Sequence, residues 1–215
     1  MDQNTKKQRV AEAVLDYIDN GESLGIGSGS TVNILIENLS KVKNKIRNVV
    51  SSSVKSTELL ESNGFEVSEL RDVGRLTKYI DGADEVNKDL QLIKGGGGAL
   101  TREKILAHNS NQFICIVDDS KKVDMLGKFP LPIEVIPLSR SSVSLELIKH
   151  GGRPVLRENF VSDNGNLILD IHNLQIMEPI KLEQTINNIP GVVTNGIFAL
   201  DPVSYTHLRA HETRP

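Results

Sequence analysis

Little in this chain suits a membrane, a nucleic-acid surface or a disulfide framework. No apolar run approaches the roughly 18 residues that span a bilayer. A formal net charge of −3 leaves no basic stripe to follow a phosphate backbone. The opening Met1-Asp2-Gln3-Asn4-Thr5-Lys6-Lys7 leads into a polar amphipathic segment rather than a signal peptide. The one cysteine, Cys115, lies inside the apolar run Phe113-Ile114-Cys115-Ile116-Val117 and reads as a small buried hydrophobe, not a nucleophile. There is no internal repeat and no low-complexity segment. The expectation is a soluble cytoplasmic protein with no nucleic-acid or membrane partner. Hydrophobic residues at 38% together with 17 glycines give roughly 46% apolar content, an ordinary globular value. A chain of 215 residues buries about 70% of the surface that its unfolded form exposes.

What is present is concentrated in Lys94-Gly95-Gly96-Gly97-Gly98-Ala99-Leu100-Thr101-Arg102-Glu103-Lys104. Glycine costs roughly 0.5–1 kcal/mol of backbone entropy per residue relative to Ala. A run of them is tolerated where backbone N–H groups must approach a ligand. This bare backbone is bracketed by a cation, Lys94, and a carboxylate, Glu103, and a helical pattern begins at Leu100. Exposed N–H groups, a fixed positive charge and a nearby base suit proton abstraction beside a carbonyl. A flexible linker would instead be Ser-rich and would not run straight into an apolar helix.

Upstream, Thr77-Lys78-Tyr79-Ile80 reads as a strand ending in Asp81-Gly82-Ala83-Asp84-Glu85. Carboxylates at the C-terminal end of a strand sit where open α/β sheets place ligands. An ordinary Asp-Gly turn is the plain alternative. The glycine run follows ten residues later, so both loops can serve one small molecule.

Val10, Val14, Leu15 and Ile18 recur at helical spacing, as do Val32, Leu35, Ile36 and Leu39. Between and after them, Ser23–Gly27 and 46–51 read as strands. Helix from Ser56, strand near Tyr79, helix from Leu100 and strand at 113–117 continue an alternation that implies a mostly parallel sheet. From Ile133 the order becomes strand 133–136, helix 142–149, strand 153–156, strand 167–171, helix 180–188 and strand 192–198. That β-α-β-β-α-β series is the split βαβ arrangement of a ferredoxin-like unit. Asp163-Asn164-Gly165-Asn166 supplies turn residues for its middle hairpin.

Gly25-Ile26-Gly27-Ser28-Gly29-Ser30-Thr31 joins the first strand to the second helix and points N–H groups at an anion. A dinucleotide fingerprint fails, because Ser30 stands where its third glycine belongs and the next strand ends in Ser51-Ser52-Ser53. A Walker loop fails because Lys94 precedes its glycines. A monophosphate fits better, with Ser28, Ser30 and Thr31 as hydroxyl donors. The hydroxyls of Ser51–Thr57 suit helix capping as well as ligand contact.

DGADEV followed by KGGGGALTREKI resembles the ribose-5-phosphate isomerase A family, as do GIGSGST at residue 25, GKFPLP at 127, DNGN at 163 and IPGVV at 189. The resemblance runs from about residue 6 to 200. It implies an α/β fold class: a Rossmann-like, mostly parallel sheet domain over 1–128 with a second, smaller ferredoxin-like α+β domain over 129–200. It implies interconversion of D-ribose 5-phosphate and D-ribulose 5-phosphate through an enediolate, without a cofactor or metal, in the non-oxidative pentose phosphate pathway. Glu103 is then the general base, its pKa raised by enclosure. Lys94 and the N–H groups of Gly95–Gly97 stabilise the oxyanion, and Asp81 and Asp84 hydrogen-bond sugar hydroxyls, Asp81 assisting ring opening. Substrate contacts extend to Ser28, Gly29, Ser30, Thr31, Gly82, Ala83 and Lys121, and the family suggests a homodimer.

A metal-assisted hydride shift is the chemical alternative, with Asp81, Asp84 and Glu85 as ligands, although no histidine accompanies them. His108, His150 and His172 are scattered. A non-catalytic sugar-phosphate sensor is the alternative function. A DNA-binding regulator would need a helix-turn-helix that the few residues before the first helix do not supply. After Phe198-Ala199-Leu200 the family returns to its first domain with one more apolar strand, whereas 201–215 reads DPVSYTHLRAHETRP, polar and without a strand pattern. That segment, with His207 and His211 at i, i+4 spacing, is expected to be foreign to the fold through truncation, frame change or artefact.

Overall fold

The computed structural model describes residues 2–200, Val203 and the backbone of 205–206. Helix α1 (Gln3–Ala13) starts at Asp2, whose carboxylate accepts the Thr5 N–H at 3.0 Å. Strand β1 (Glu22–Ile26), α2 (Ser30–Leu39) and β2 (Ile46–Ser51) follow. Then come α3 (Val54–Ser62), the single turn α4 (Leu70–Val73) and β3 (Leu76–Asp81). Next are β4 (Glu85–Val86), β5 (Leu92–Ile93), α5 (Leu100–His108) and β6 (Ser110–Cys115). The second half runs β7 (Leu131–Val135), α6 (Arg140–Lys149), β8 (Arg153–Leu156) and β9 (Leu167–His172). It closes with α7 (Pro179–Asn187), β10 (Val192–Asn195), β11 (Ile197–Phe198) and β12 (Tyr205–Thr206).

Two compact units result. The first comprises Met1–Gly82, Ile105–Lys121 and Val203–Pro215. Its sheet has the order β12-β6-β3-β1-β2, with every pair parallel. The inner strands are buried on both faces, as a parallel sheet demands, which is why they read as apolar runs. Val32, Leu35, Ile36 and Leu39 of α2 are fully buried in this core with Leu24, Ile26 and Ile80. Each contributes about 1.5–3 kcal/mol of burial.

The second unit comprises Ala83–Lys104 and Lys122–Pro202. Its antiparallel sheet has the order β10-β7-β9-β8, which is ferredoxin-like, and a smaller antiparallel sheet has the order β11-β5-β4. Leu131, Ile133 and Val135 form its core with Val143, Leu147, Leu169, Ile171 and Ile186. The fold is thus a Rossmann-like α/β unit with a second, smaller antiparallel unit.

Three features differ from the sequence expectation. The single strand expected over 192–198 is broken at Gly196 into β10, which pairs with β7, and β11, which pairs with β5. Gly196 donates its N–H to Pro132 O at 2.8 Å and accepts the Lys94 N–H at 2.9 Å. A Cβ there would overlap Lys94 O, so this close backbone crossing requires glycine. Second, the boundary is not the linear 128/129 division: 83–104 groups with the second unit, because β4 and β5 pair with β11. Third, the tail expected to lack a strand contributes β12, whose Tyr205 and Thr206 lie in register with Ile114 and Cys115, and Val203 is buried. His207 and His211 lie outside the described residues.

Lys78 on β3 is buried and donates to Tyr17 O at 2.6 Å, to Asp19 at 3.0 Å and to the Glu22 carboxylate. Burial opposes its charge, but the bonds to Glu22 and Asp19 outweigh it and raise the pKa above the ordinary 10.5. The charged form therefore contributes stability that is full below 10.5 and lost as pH rises through the raised value. Urea midpoints taken below and above that pH should fall in the wild type and fall less in Lys78→Met. Equal alkaline losses in both proteins would show that the Lys78 network is not the source.

Candidate active site

Within the first unit, the turn after β1 is fastened to the end of β3. Gly27 donates its N–H to Ile80 O at 2.9 Å, and Ser28 donates its N–H to Asp81 Oδ1 at 3.0 Å. Gly82 N–H reaches the same oxygen at 2.7 Å, and the Tyr79 hydroxyl donates to Asp81 Oδ2. Asp81 has no exposed surface. A Cβ on Gly27 would overlap the Asp81 carboxyl group, so glycine is required by this contact. The carboxylate expected to meet sugar hydroxyls is thus turned onto the chain's own backbone, where it sets the course of the Gly27-Ser28 turn.

Beyond that turn Gly29 adopts φ +106° and caps α2, with Gly29 and Ser30 exposed and Ser28 and Thr31 half-buried. The N-terminal N–H groups of a ten-residue helix there favour an anion. Lys7, which sequence reasoning passed over, donates from α1 to Ser30 Oγ at 2.9 Å. Its neighbour Lys6 pairs with Asp119 at 3.1 Å, on the 3-10 turn Asp119–Lys121 that carries half-buried Lys121. Burial of Asp118 works against its charge, yet two bonds from Ser120, with help from Gln3 and Lys121, hold its carboxyl below the usual range. That carboxylate shapes the turn through Ser120 N–H at 2.9 Å. Ser53 Oγ accepts from Ser56 N–H and caps α3, so the capping reading of the serine run holds there. Ser56 Oγ donates to Gly27 O at 2.7 Å, while the buried Ser52 Oγ has no partner among the described residues.

Within the second unit, β5 delivers Lys94 and the first turn of α5 delivers Glu103. Lys94 Nζ and Glu103 Oε2 are 3.3 Å apart and each side chain is 3–4% exposed. The Phe198 ring centroid lies 5.7 Å from the same ammonium. Pairing of β5 with β11, and the Lys94 N–H bond to Gly196 O, fix the backbone from which Lys94 extends. The glycine run then turns through Gly95 at φ +102° and closes with Gly98 N–H on Gly95 O at 2.9 Å. Gly96 and Gly97 are exposed. Gly96 N–H donates to Asp84 Oδ2 at 2.8 Å, so this amide, expected to face an oxyanion, is held by a carboxylate. A Cβ on Gly96 would sit 2.7 Å from Asp84 Oδ1. Asp84 is in turn placed by its own N–H bond to Ile93 O at 2.8 Å.

Lys94, Gly95–Gly97, Asp84 and Glu103 are therefore brought together, as are Ser28, Gly29, Ser30, Thr31, Asp81 and Gly82. Gly82 and Ala83 connect Asp81 to Asp84 along the chain. Glu85 is buried and accepts from Gly127 N–H at 2.8 Å and Phe129 N–H at 2.5 Å. Among the described residues no group of three or more His, Cys, Asp or Glu side chains is arranged to hold a metal ion. A buried carboxylate beside an ammonium, next to an exposed glycine turn, can remove a proton from carbon and stabilise the resulting oxyanion.

The Gly27–Asp81 contact makes a testable coupling. Gly27→Ala should destabilise the protein by about 1–3 kcal/mol through overpacking. The same change in an Asp81→Ala background should cost clearly less, as denaturant titrations of the four proteins would measure. Additive costs would mean that the carboxyl does not pack against Gly27.

The chain matches the family model for ribose 5-phosphate isomerase A (phosphoriboisomerase A) over residues 48–210. It is 53% identical over 199 residues to a ribose-5-phosphate isomerase A of Buchnera aphidicola subsp. Acyrthosiphon pisum, covering 93% of this chain and 89% of that protein. The crystal structure of ribose 5 phosphate isomerase A from Neisseria gonorrhoeae superposes with a TM-score of 0.93 at 48% identity, over 95% of this chain and 92% of that one. A D-ribose-5-phosphate isomerase in complex with phospho-erythronic acid gives a TM-score of 0.91 at 36% identity, over 94% and 93% of the two chains. Sequence and fold agree across both units: the chain is an enzyme belonging to the ribose 5-phosphate isomerase A family.

Proposed function

We propose that this protein interconverts D-ribose 5-phosphate and D-ribulose 5-phosphate by proton transfer, with Glu103 as the base. The observation that carries the reading is the buried Lys94–Glu103 pair beside the exposed glycine turn. Glu103 removes the proton from C2 of the open-chain aldose. The electron pair of that C–H bond forms the C1–C2 double bond, and the carbonyl electrons move onto O1. Lys94, with the glycine-turn amides, stabilises the charge on O1. Glu103 then returns the proton to C1, while the O2 proton passes to O1 and the C2 carbonyl forms. Atoms and charge balance without a metal or a redox cofactor.

The substrate phosphate is assigned to Ser28, Gly29, Ser30 and Thr31 at the start of α2, with Lys7 and Lys121 as supporting cations. Asp84, half-buried and next to Gly96, is assigned to the sugar hydroxyls and ring opening. Asp81, enclosed by Tyr79, Ser28 and Gly82, serves the same reaction by holding the phosphate turn. Because phospho-erythronic acid occupies one relative, it is expected to compete with substrate here, its carboxylate facing Lys94. We place the enzyme in the non-oxidative pentose phosphate pathway, as a cytoplasmic homodimer. Exposed Leu138, Leu145 and Ile148 support self-association. No helix of the described residues is long and apolar enough to cross a membrane.

The test gives purified protein D-ribose 5-phosphate in EDTA and follows ribulose 5-phosphate. Wild-type turnover is expected, with kcat lowered by about 10²–10⁴ in Glu103→Gln. A near-normal rate in the variant would remove Glu103 from the role. Activity lost in EDTA and restored by a divalent cation would favour a hydride shift. Binding without turnover would favour a sensor.

A further inference from the structure

The connection between β8 and β9, residues 157–166, holds the catalytic turn from its carbonyl side. Its first residue, Arg157, forms a two-pronged ion pair with Asp170 on β9, Nε to Oδ2 at 2.9 Å and Nη2 to Oδ1 at 2.5 Å. The remaining nitrogen, Nη1, reaches Gly96 O at 3.1 Å and Gly95 O at 3.3 Å. The guanidinium lies 5.3 Å from the Phe160 ring centroid, and that ring fills the space a Gly98 side chain would take. Farther along, Arg102 donates to Asp163 O at 2.8 Å and Asn164 Oδ1 at 2.9 Å. Buried Glu134 accepts from Thr101, from Ser162 Oγ at 2.8 Å and from Asn166 Nδ2 at 2.8 Å. One connection thus grips both the glycine turn and the first turn of α5, which carries Glu103.

We propose that Arg157 is a positioning residue for the isomerisation, acting through the Gly95 and Gly96 carbonyls to aim the N–H groups of Gly96 and Gly97. In a planar trans peptide the N–H points opposite to the C=O. Two carbonyls drawn to one guanidinium therefore turn two consecutive N–H groups away from it. The first of these reaches Asp84. The second, from Gly97, is directed to the same side, where the developing oxyanion needs a donor. A cation at the carbonyl end also polarises each peptide toward a stronger N–H donor. Glycine has no side chain to hold such a turn, so an outside clamp is required if its amides are to be preorganised. Only arginine has the fork to bind Asp170 through two nitrogens and the turn through a third.

The inference rests on the proposed isomerase reading. Its test measures kcat and KM for D-ribose 5-phosphate in Arg157→Lys and Arg157→Ala, with melting temperatures alongside and guanidinium chloride at millimolar concentration as rescue agent. The expectation is a kcat lowered by about 10- to 100-fold in both variants, the cost of a slightly misplaced turn, with KM much less affected. Added guanidinium should restore part of kcat in Arg157→Ala and none in Glu103→Gln. If Arg157→Ala does not fold, Arg157→Lys decides alone by its kcat. Folded variants with wild-type kcat, a loss confined to KM, or no rescue of a folded Arg157→Ala would overturn the inference. A wild type that binds but does not isomerise the sugar would instead overturn the reading beneath it.

Discussion

The Lys94–Glu103 pair, 3.3 Å apart and almost wholly enclosed, is the constraint to which the rest of the site conforms. Two charges removed from water each carry a desolvation cost of several kcal/mol, and their mutual attraction offsets it only in good geometry. The fold supplies that geometry from both sides. Lys94 extends from β5, pinned by β11 and by the crossing at Gly196. Glu103 sits one turn into α5, whose start is tied down through Thr101 and Arg102. Either charge left alone in this enclosure would be costly, so the pair also secures the local fold. A buried carboxylate held against a cation costs desolvation that an apolar pair would not, so the pair is poorly explained by stability alone.

The neighbouring carboxylates also anchor backbone, each at a different place, although by sequence they look alike. Asp81, Asp84 and Glu85 lie within five residues, yet each accepts from a different backbone segment: Ser28 and Gly82, Gly96, and Gly127 with Phe129. Glu183 does the same for Ala199 and Leu200 while pairing with Lys104. Carboxylates accepting N–H bonds are strong, directional anchors. Loops without regular secondary structure can be fixed this way where strands are only two residues long, as β4 and β5 are.

The layout of the first unit was legible because its elements carry their period. Val32, Leu35, Ile36 and Leu39 mark one helix face, and Ile46–Ser51 reads as a strand at the bounds observed. The β-α-β-β-α-β order likewise led to the antiparallel sheet with order β10-β7-β9-β8. Two-residue strands have no period to detect, so β4, β5 and β12 were invisible. The sheet change at Gly196 was hidden inside one apolar run. At the site, Lys94, the glycines and Glu103 stand close in sequence and their pairing could be anticipated. Asp81 could be found but not oriented, since its role depends on Tyr79 and Ser28, the latter 53 residues away along the chain. Lys7 and Arg157 carry no local mark, because Ser30 lies 23 residues from the first, and Gly95 and Gly96 lie 62 and 61 residues from the second.

The central claim is proton transfer through an enediolate formed by an enclosed carboxylate. Its most direct test incubates the enzyme with D-ribose 5-phosphate in D2O and follows C1 and C2 by NMR as the two sugars interconvert. A carboxylate base exchanges its proton with solvent over repeated turnovers, so deuterium should accumulate at C1 of the ketose and C2 of the aldose. Full interconversion with neither carbon labelled would show hydrogen moving directly between them, and the account would be wrong.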